Sequence, residues 1–381
     1  MTDELARVRP LFEAACAAPY FGTNGYGVMP RPAAQLIGDQ AMALTKRAYG
    51  AHHRLETEIE IVRAKVATSI GAGADDIAFI RNTADGMSFA ANALPFAQGD
   101  EVVTFDDDYG TVTYPFLARA TYDESLAVRV CPTDNGLVTV EAVNAAITDR
   151  TRCIALSWVR WDTGNRCDLT AIGNLCASRG IWLVVDAIQG VGALPIDVGA
   201  ARVSILAAGC HKWQCGLAGL GIMYVRAELL ERLRPVRSGL THFAAHVDAK
   251  HTRGYPMAAI DGARRFEDGA NNELAIAALG VSLDIAAQVG IDRISNAIEN
   301  TRRHLINRWR DLGGFVISSD RVDAWSGIVA LHPPSYISTE EFLSKCWADR
   351  ITVGTQRDAL VPAIHHYTTI DDVERLVGHL R

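Results

Sequence analysis

Short apolar runs recur along the first two thirds of the chain, each followed by a helical pattern, and this alternation constrains the fold most. The runs are IAFIRNT (77–83), EVVTF (101–105), CIALSWV (153–159), WLVVDA (182–187), VSILAAG (203–209) and GIMYVR (221–226). They are apolar throughout rather than on alternate residues, as strands buried on both faces of a helix-covered parallel sheet are. Helical spacing fills the gaps: residues 55–70 carry apolar positions three and four apart, GMSFAANALPF follows the first run, and LTAIGNLCASRG ends on Gly180. After about residue 255 two long amphipathic helical stretches lead to GIVALH (327–332), the helical STEEFLSKCWADR, ITVGT (351–355) and the helical IDDVERLVGHLR. At roughly 150 residues per domain, 381 residues make two or three domains, or one large α/β domain with an appendage. The expected organisation is an N-terminal segment (1–25), a large α/β domain with a mainly parallel sheet between helices (26–255) and a smaller α+β domain (256–381). No internal repeat or disordered linker interrupts it.

Charge narrows the partners. With 37 basic against 44 acidic side chains the net charge is −7, which argues against a nucleic-acid or anionic-membrane surface as the main partner. No apolar run approaches the roughly 18 residues of a membrane span, and MTDELARVRPLFEAAC has no continuous apolar core of a signal peptide. The eight cysteines form no CxxC pair, so neither a zinc site nor a disulfide framework is expected. These features read as a cytoplasmic protein. Histidines 242, 246 and 251 share a long loop, yet loop histidines are far more often plain polar residues than ligands, and no metal is expected.

In open α/β sheets ligands bind beyond the carboxyl ends of the strands, which directs attention to the residues after each run. Asp186 closes VVD, where a carboxylate needs either a helix N-terminus to cap or a cation to meet. Lys212 is one of only five lysines and alone directly follows an apolar strand. Desolvation there would favour the neutral amine that imine formation requires, while snorkelling to solvent is the alternative. Thr83 sits at a strand-to-helix turn, where it either caps the helix or helps the free N–H groups to receive an anion.

Taken in order, an anion-binding helix start, a strand-end Asp and a strand-end Lys resemble the fold-type I pyridoxal-phosphate enzymes. More narrowly, SWVRWDTGNRCDLTAIGNLCASRGIWLVVDAIQGVGALPIDV (157–198) and CHKWQCGLAGLGIMYVR (210–226) resemble the class V aminotransferase family. That family includes cysteine desulfurases, isopenicillin N epimerase and C–S lyases. The resemblance runs from about residue 18 to the C-terminus and implies pyridoxal 5′-phosphate as cofactor. It implies that Lys212 forms the Schiff base with that cofactor, that Asp186 pairs with the pyridinium nitrogen, and that Gln189 bonds the phenolate oxygen. By the same resemblance His211 and the Thr83-Ala84 turn hold the phosphate, and Tyr109 stacks on the ring. Asn24 belongs to a stretch folding over the substrate pocket, and a homodimer with shared active sites is implied.

Three departures matter. The loop in which desulfurases carry a catalytic Cys reads QRDALVP here, with Ala359 near that position and Cys346 in the preceding helix; a persulfide route is therefore rejected. The Arg that the family uses to grip the substrate carboxylate is replaced by Val361, leaving Arg357 or Arg160 as substitutes. The family's Gly-Thr pair, reaching the partner's phosphate, reads Gly269-Ala270, with Asn271 or Asn272 as replacements. The expected function is a pyridoxal-phosphate-dependent lyase or transferase that cleaves or otherwise processes the C–S bond of a cysteine-derived amino acid. A class V aminotransferase is the alternative. An epimerase, with Tyr109, His365 or His366 as second proton donor, and a decarboxylating enzyme come next. A non-catalytic homologue is disfavoured by the intact Lys212, Asp186, Gln189 and His211 set.

Overall fold

The computed structural model describes residues 3–123, 126–243, 258–269 and 271–380. Strand β1 (Tyr20–Phe21) is followed by β2 (Ile77–Ile80), β3 (Asp100–Phe105), β4 (Leu126–Cys131), β5 (Thr151–Ser157), β6 (Trp182–Asp186), β7 (Ile205–Gly209) and β8 (Gly221–Val225). β2 to β8 form one sheet in the order β2-β8-β7-β6-β5-β3-β4. Six of its strands run parallel, and β8 alone opposes both of its neighbours. All five residues in each of β6, β7 and β8 are buried, as unbroken apolar runs require.

β4 shows why one strand escapes a reading by apolar runs. It lies at the sheet edge, and only Leu126 of its six residues is fully buried, so LAVRVC is mixed in character. GIMYVR is antiparallel because its chain returns from β7 through residues 210–220 without a crossover helix.

The C-terminal third holds β9 (Phe315–Val316), β10 (Leu331–His332), β11 (Thr352–Val353), β12 (Thr355–Gln356) and β13 (Ala359–Leu360). β12-β13-β10-β9 make a small antiparallel sheet, so GIVALH contributes a strand only at its last two residues, with Ile328 bridging Ala363. The N-terminal segment is tied to this part, since β1 pairs in parallel with β11. Helix Glu273–Val289 joins the two regions and packs on helices Arg31–Arg47 and Tyr49–Ser69. No single helix among the described residues is long and apolar enough to cross a membrane. Six of the eight cysteines are buried and behave as small apolar side chains.

Candidate active site

The parallel strands deliver their carboxyl ends to one edge, and the polar residues placed there line a cavity of ≈ 520 Å³. Asp186 arrives at the end of β6 and is 3% exposed. Its Oδ1 accepts the Ile188 N–H at 3.0 Å. Its carboxyl is raised from 3.8 to about 7, chiefly by burial and in part by the Asp108 charge, against the opposing pull of the Ile188 N–H and Lys212. Lys212 lies three residues beyond β7, makes no side-chain hydrogen bond with the described residues, and has its pKa lowered by burial against the opposing pull of Asp186. An amine and a carboxylate thus line one desolvated cavity, each acting on the other's charge, with much of their bonding capacity unused.

The opposite wall is a helix start. Helix Thr83–Ala93 begins directly after β2, but its cap is Asn82, whose Oδ1 accepts the Asp85 N–H at 2.9 Å. Thr83 is the first helical residue instead, and its hydroxyl oxygen accepts the Gly209 N–H at 2.9 Å, anchoring the helix to the end of β7. The hydroxyl proton and the first-turn N–H groups of Thr83 and Ala84 are left for an anion. Gly86 permits the close approach: a Cβ there would lie 2.6 Å from that of Ala207 in β7. His211 adds a buried Nδ1 without a partner, and burial followed by the Lys212 charge lowers its pKa, favouring the neutral ring.

The N-terminal segment closes the cavity. Asn24 and Gly25 line it, the Asn24 carbonyl accepts the Gln189 Nε2–H at 3.0 Å, and Gly27 N–H donates to the His211 carbonyl at 2.8 Å. Gln189 Oε1 in turn accepts the Trp213 indole N–H at 2.8 Å, so the amide expected to meet a ring oxygen retains one free N–H. Tyr109 lines the mouth at 49% exposure and meets Trp161 edge-on, with ring centroids 5.6 Å apart.

Arg160 is elsewhere. It is 1% exposed, outside the cavity, and its guanidinium holds the carbonyls of Asp106 and Asp107 and lies beside the carboxylates of Asp108 and Asp162. Its work is to fix the loop that presents Tyr109. Asp108 completes that loop by accepting the Ser157 hydroxyl at 2.6 Å and the Ser157 N–H at 2.9 Å. Arg357 stands at the turn between β12 and β13 with φ of 57°, half exposed, and pairs with Asp107 at 3.0 Å and Asp162 at 3.3 Å. Its neighbour Gln356 lines the cavity, whereas Val361 points into the core and is fully buried.

His365 and His366 are not at the cavity. His365 stacks on Trp213 and Tyr367 and bonds the Trp213 carbonyl, and burial lowers its pKa to about 4; neither ring can serve there as an opposite-face proton donor. Ala270, His246 and His251 lie outside the described residues. Among the described residues no group of three or more potential ligands could hold a metal. Asn82, Trp161 and Ile188 follow the apolar runs, where the sequence directs attention, and they line the cavity; Thr111 and Gln356 line it too and were missed, for neither carries a local signal.

A helix start with free N–H groups, a buried carboxylate and an unbonded lysine line this one cavity, a donor set whose chemistry fits a pyridoxal 5′-phosphate molecule. The class V aminotransferase family model matches residues 34–375. The chain belongs to that family. It is a pyridoxal-phosphate-dependent enzyme of the lyase and transferase group, with the fold-type I architecture. A cysteine desulfurase of Dickeya dadantii (strain 3937) is 32% identical over 248 residues, 63% of this chain and 58% of that protein. An uncharacterised aminotransferase of Bacillus subtilis (strain 168) is 23% identical over 372 residues, 98% of this chain and 96% of its own. The fold superposes on a cystine C–S lyase solved with cysteine persulfide, with TM-score 0.88 and 22% identity over 97% of this chain and 98% of that one. It also matches a cysteine desulfurase from Thermococcus onnurineus NA1, with TM-score 0.88 and 19% identity over 98% and 96%.

Proposed function

We propose that this enzyme cleaves the C–S bond of a cysteine-derived amino acid by β-elimination, releasing a thiol, pyruvate and ammonia with consumption of one water. One observation carries the reading: the Lys212, Asp186 and helix-start set is complete, yet none of the eight cysteines lines the cavity. Cys346 is buried and its thiol is pushed up to about 12, so it supplies no thiolate to accept a persulfide sulfur. Elimination requires no second nucleophile.

When bound, pyridoxal phosphate supplies an electron sink conjugated to the substrate Cα. The chain does the rest. Asp186, drawn toward its ionised form by a cation in the ring position, holds that end of the cofactor. Thr83 and Ala84 orient the phosphate by their N–H groups and hydroxyl. Lys212 Nζ, biased toward the neutral amine by burial, takes the Cα proton and then carries it within reach of the departing sulfur. Trp161, Tyr109 and Asn24 border the space left for the substrate side chain. We assign the substrate carboxylate to Arg357, which would exchange Asp107 and Asp162 for it.

The enzyme is further proposed to act as a cytoplasmic homodimer, with the division 1–25, 26–255 and 256–381. The confinement of the large sheet to residues 77–225 and of the small antiparallel sheet to residues 315–360 supports that division. Incubation with S-substituted cysteines, with pyruvate and free thiol measured together, tests the reaction: equal amounts are expected. Amino-group transfer to a keto acid without pyruvate would overturn it in favour of an aminotransferase, the reading to which the near full-length Bacillus relative lends weight.

A further inference from the structure

The charged groups lining the active-site cavity are Asp186, Lys212 and, when protonated, His211, and the cofactor and the proton transfer account for all three. The rest of the described lining is uncharged, and Trp161 is its largest side chain. The indole is partly exposed and comes from the turn after β5, next to the inward-turned Arg160. Its N–H donates to the Asp107 carbonyl at 3.4 Å, the same carbonyl that the Arg160 guanidinium holds. That bond uses the one polar atom of the ring, so what Trp161 offers the cavity is apolar.

Tyr109 meets the indole edge-on, with ring centroids 5.6 Å apart and planes at 65°. Among the described residues no other aromatic ring or guanidinium is seated on Trp161. Aromatic rings favour edge-to-face and offset contacts, and two rings set at an angle form a corner that a third ring completes. The acidic side chains nearby do not call for a cation. Asp107 and Asp162 pair with Arg357 at 3.0 and 3.3 Å. When Arg357 turns to the substrate carboxylate, Asp162 keeps Arg160 at 3.5 Å, and Asp107, 61% exposed, is left to water.

We propose that the substrate carries an uncharged aromatic ring on its sulfur, as S-aryl and S-arylmethyl cysteines do, and that Trp161 selects it by receiving that ring on its face. This inference rests on the reading of the cavity as the amino-acid site of a C–S lyase. Free cysteine places nothing on Trp161, and cystine would place a charged amino acid there, so both are disfavoured.

The test uses the cofactor-loaded enzyme and sulfur-free amino acids of similar reach: homophenylalanine, norleucine, lysine and 2-aminoadipate. None has a thiol to eliminate, so half-saturation of the change in cofactor absorbance reports on the pocket alone. Homophenylalanine is expected to bind about tenfold tighter than norleucine, the gain of an aromatic contact over an aliphatic one, and tighter still than the two charged probes. Trp161→Ala should bring homophenylalanine to the norleucine level, and Trp161→Phe should keep most of the preference. Equal binding of homophenylalanine and norleucine, tighter binding of lysine or 2-aminoadipate, or a preference unchanged in Trp161→Ala would each overturn the proposal. The series on the parent enzyme decides even where a variant fails to fold. S-Phenylcysteine, the sulfur counterpart of homophenylalanine, separates this inference from the reaction it rests on. Tight binding of homophenylalanine without pyruvate from S-phenylcysteine would remove elimination and keep the aromatic pocket; pyruvate and thiophenol without an aromatic preference would do the reverse.

Discussion

Asp186 offers the sharpest quantitative consequence of the site. With no cofactor cation opposite it, this carboxyl is raised by burial from 3.8 to about 7, a figure that already includes the attraction of Lys212. A group that holds its proton more tightly folded than unfolded stabilises the fold fully at low pH. That stability is lost as pH rises through the window from 3.8 to about 7, because the unfolded chain releases the proton first. The shift of about 3 units, at about 1.4 kcal/mol per unit, corresponds to ~4 kcal/mol. Asn has the shape of the protonated acid without its charge. Cofactor-free Asp186→Asn should therefore match the parent near pH 4 and exceed it by up to about 4 kcal/mol at pH 8, as read from urea unfolding midpoints across that range. The loaded parent enzyme should recover the difference at pH 8, because the cofactor's ring nitrogen then supplies the missing cation. The same variant should lose about 10²–10³ in kcat, the cost of breaking a buried charge pair. A stability difference that stays constant between pH 4 and 8 would refute the assignment of Asp186 as a desolvated carboxyl awaiting a cation.

Other outcomes follow from the same geometry. Lys212→Ala should abolish the visible absorbance band of the purified enzyme and reduce pyruvate release at least 10³-fold, and a variant retaining both would remove Lys212 from its role. Arg357→Ala should raise KM for the amino acid about tenfold with little change in kcat; an unaltered KM would place the carboxylate elsewhere. Arg160→Met leaves the carboxylates of Asp108 and Asp162 without their buried cation, and should cost about 3–5 kcal/mol of stability in thermal or urea melts. Restoring activity to that variant at low temperature, with KM unchanged, would separate this loop-holding role from substrate contact.

Legibility in the sequence followed burial. Runs that end up central in the sheet, such as WLVVDA and VSILAAG, are apolar on both faces and announce themselves; the edge strand Leu126–Cys131 is mixed and did not. Thr83 was found by its position after a strand, but the cap proved to be Asn82, because an Asn oxygen reaches the third helical N–H while the Thr hydroxyl is turned to Gly209. Arg160 illustrates the limit. An Arg after a strand looks the same whether it faces a ligand or a ring of carbonyls, and only the folded loop Asp106–Asp108 decides between them.

The linear sequence by itself determined the alternating α/β order, the strand-end positions of Asp186 and Lys212, and the absence of the expected Cys and Arg near residues 359 and 361. Those features are local, since each depends on residue type and on the spacing between neighbours along the chain. Tertiary structure decided what local spacing cannot carry: that the N-terminal Asn24 closes over Gln189, that Gln356 and Trp161 line one cavity with Lys212, and that Arg160 is buried against the Asp106–Asp108 loop. Each of these joins segments far apart in sequence, where burial, and hence pKa and the bonding left unused, exists only once the chain has closed around them.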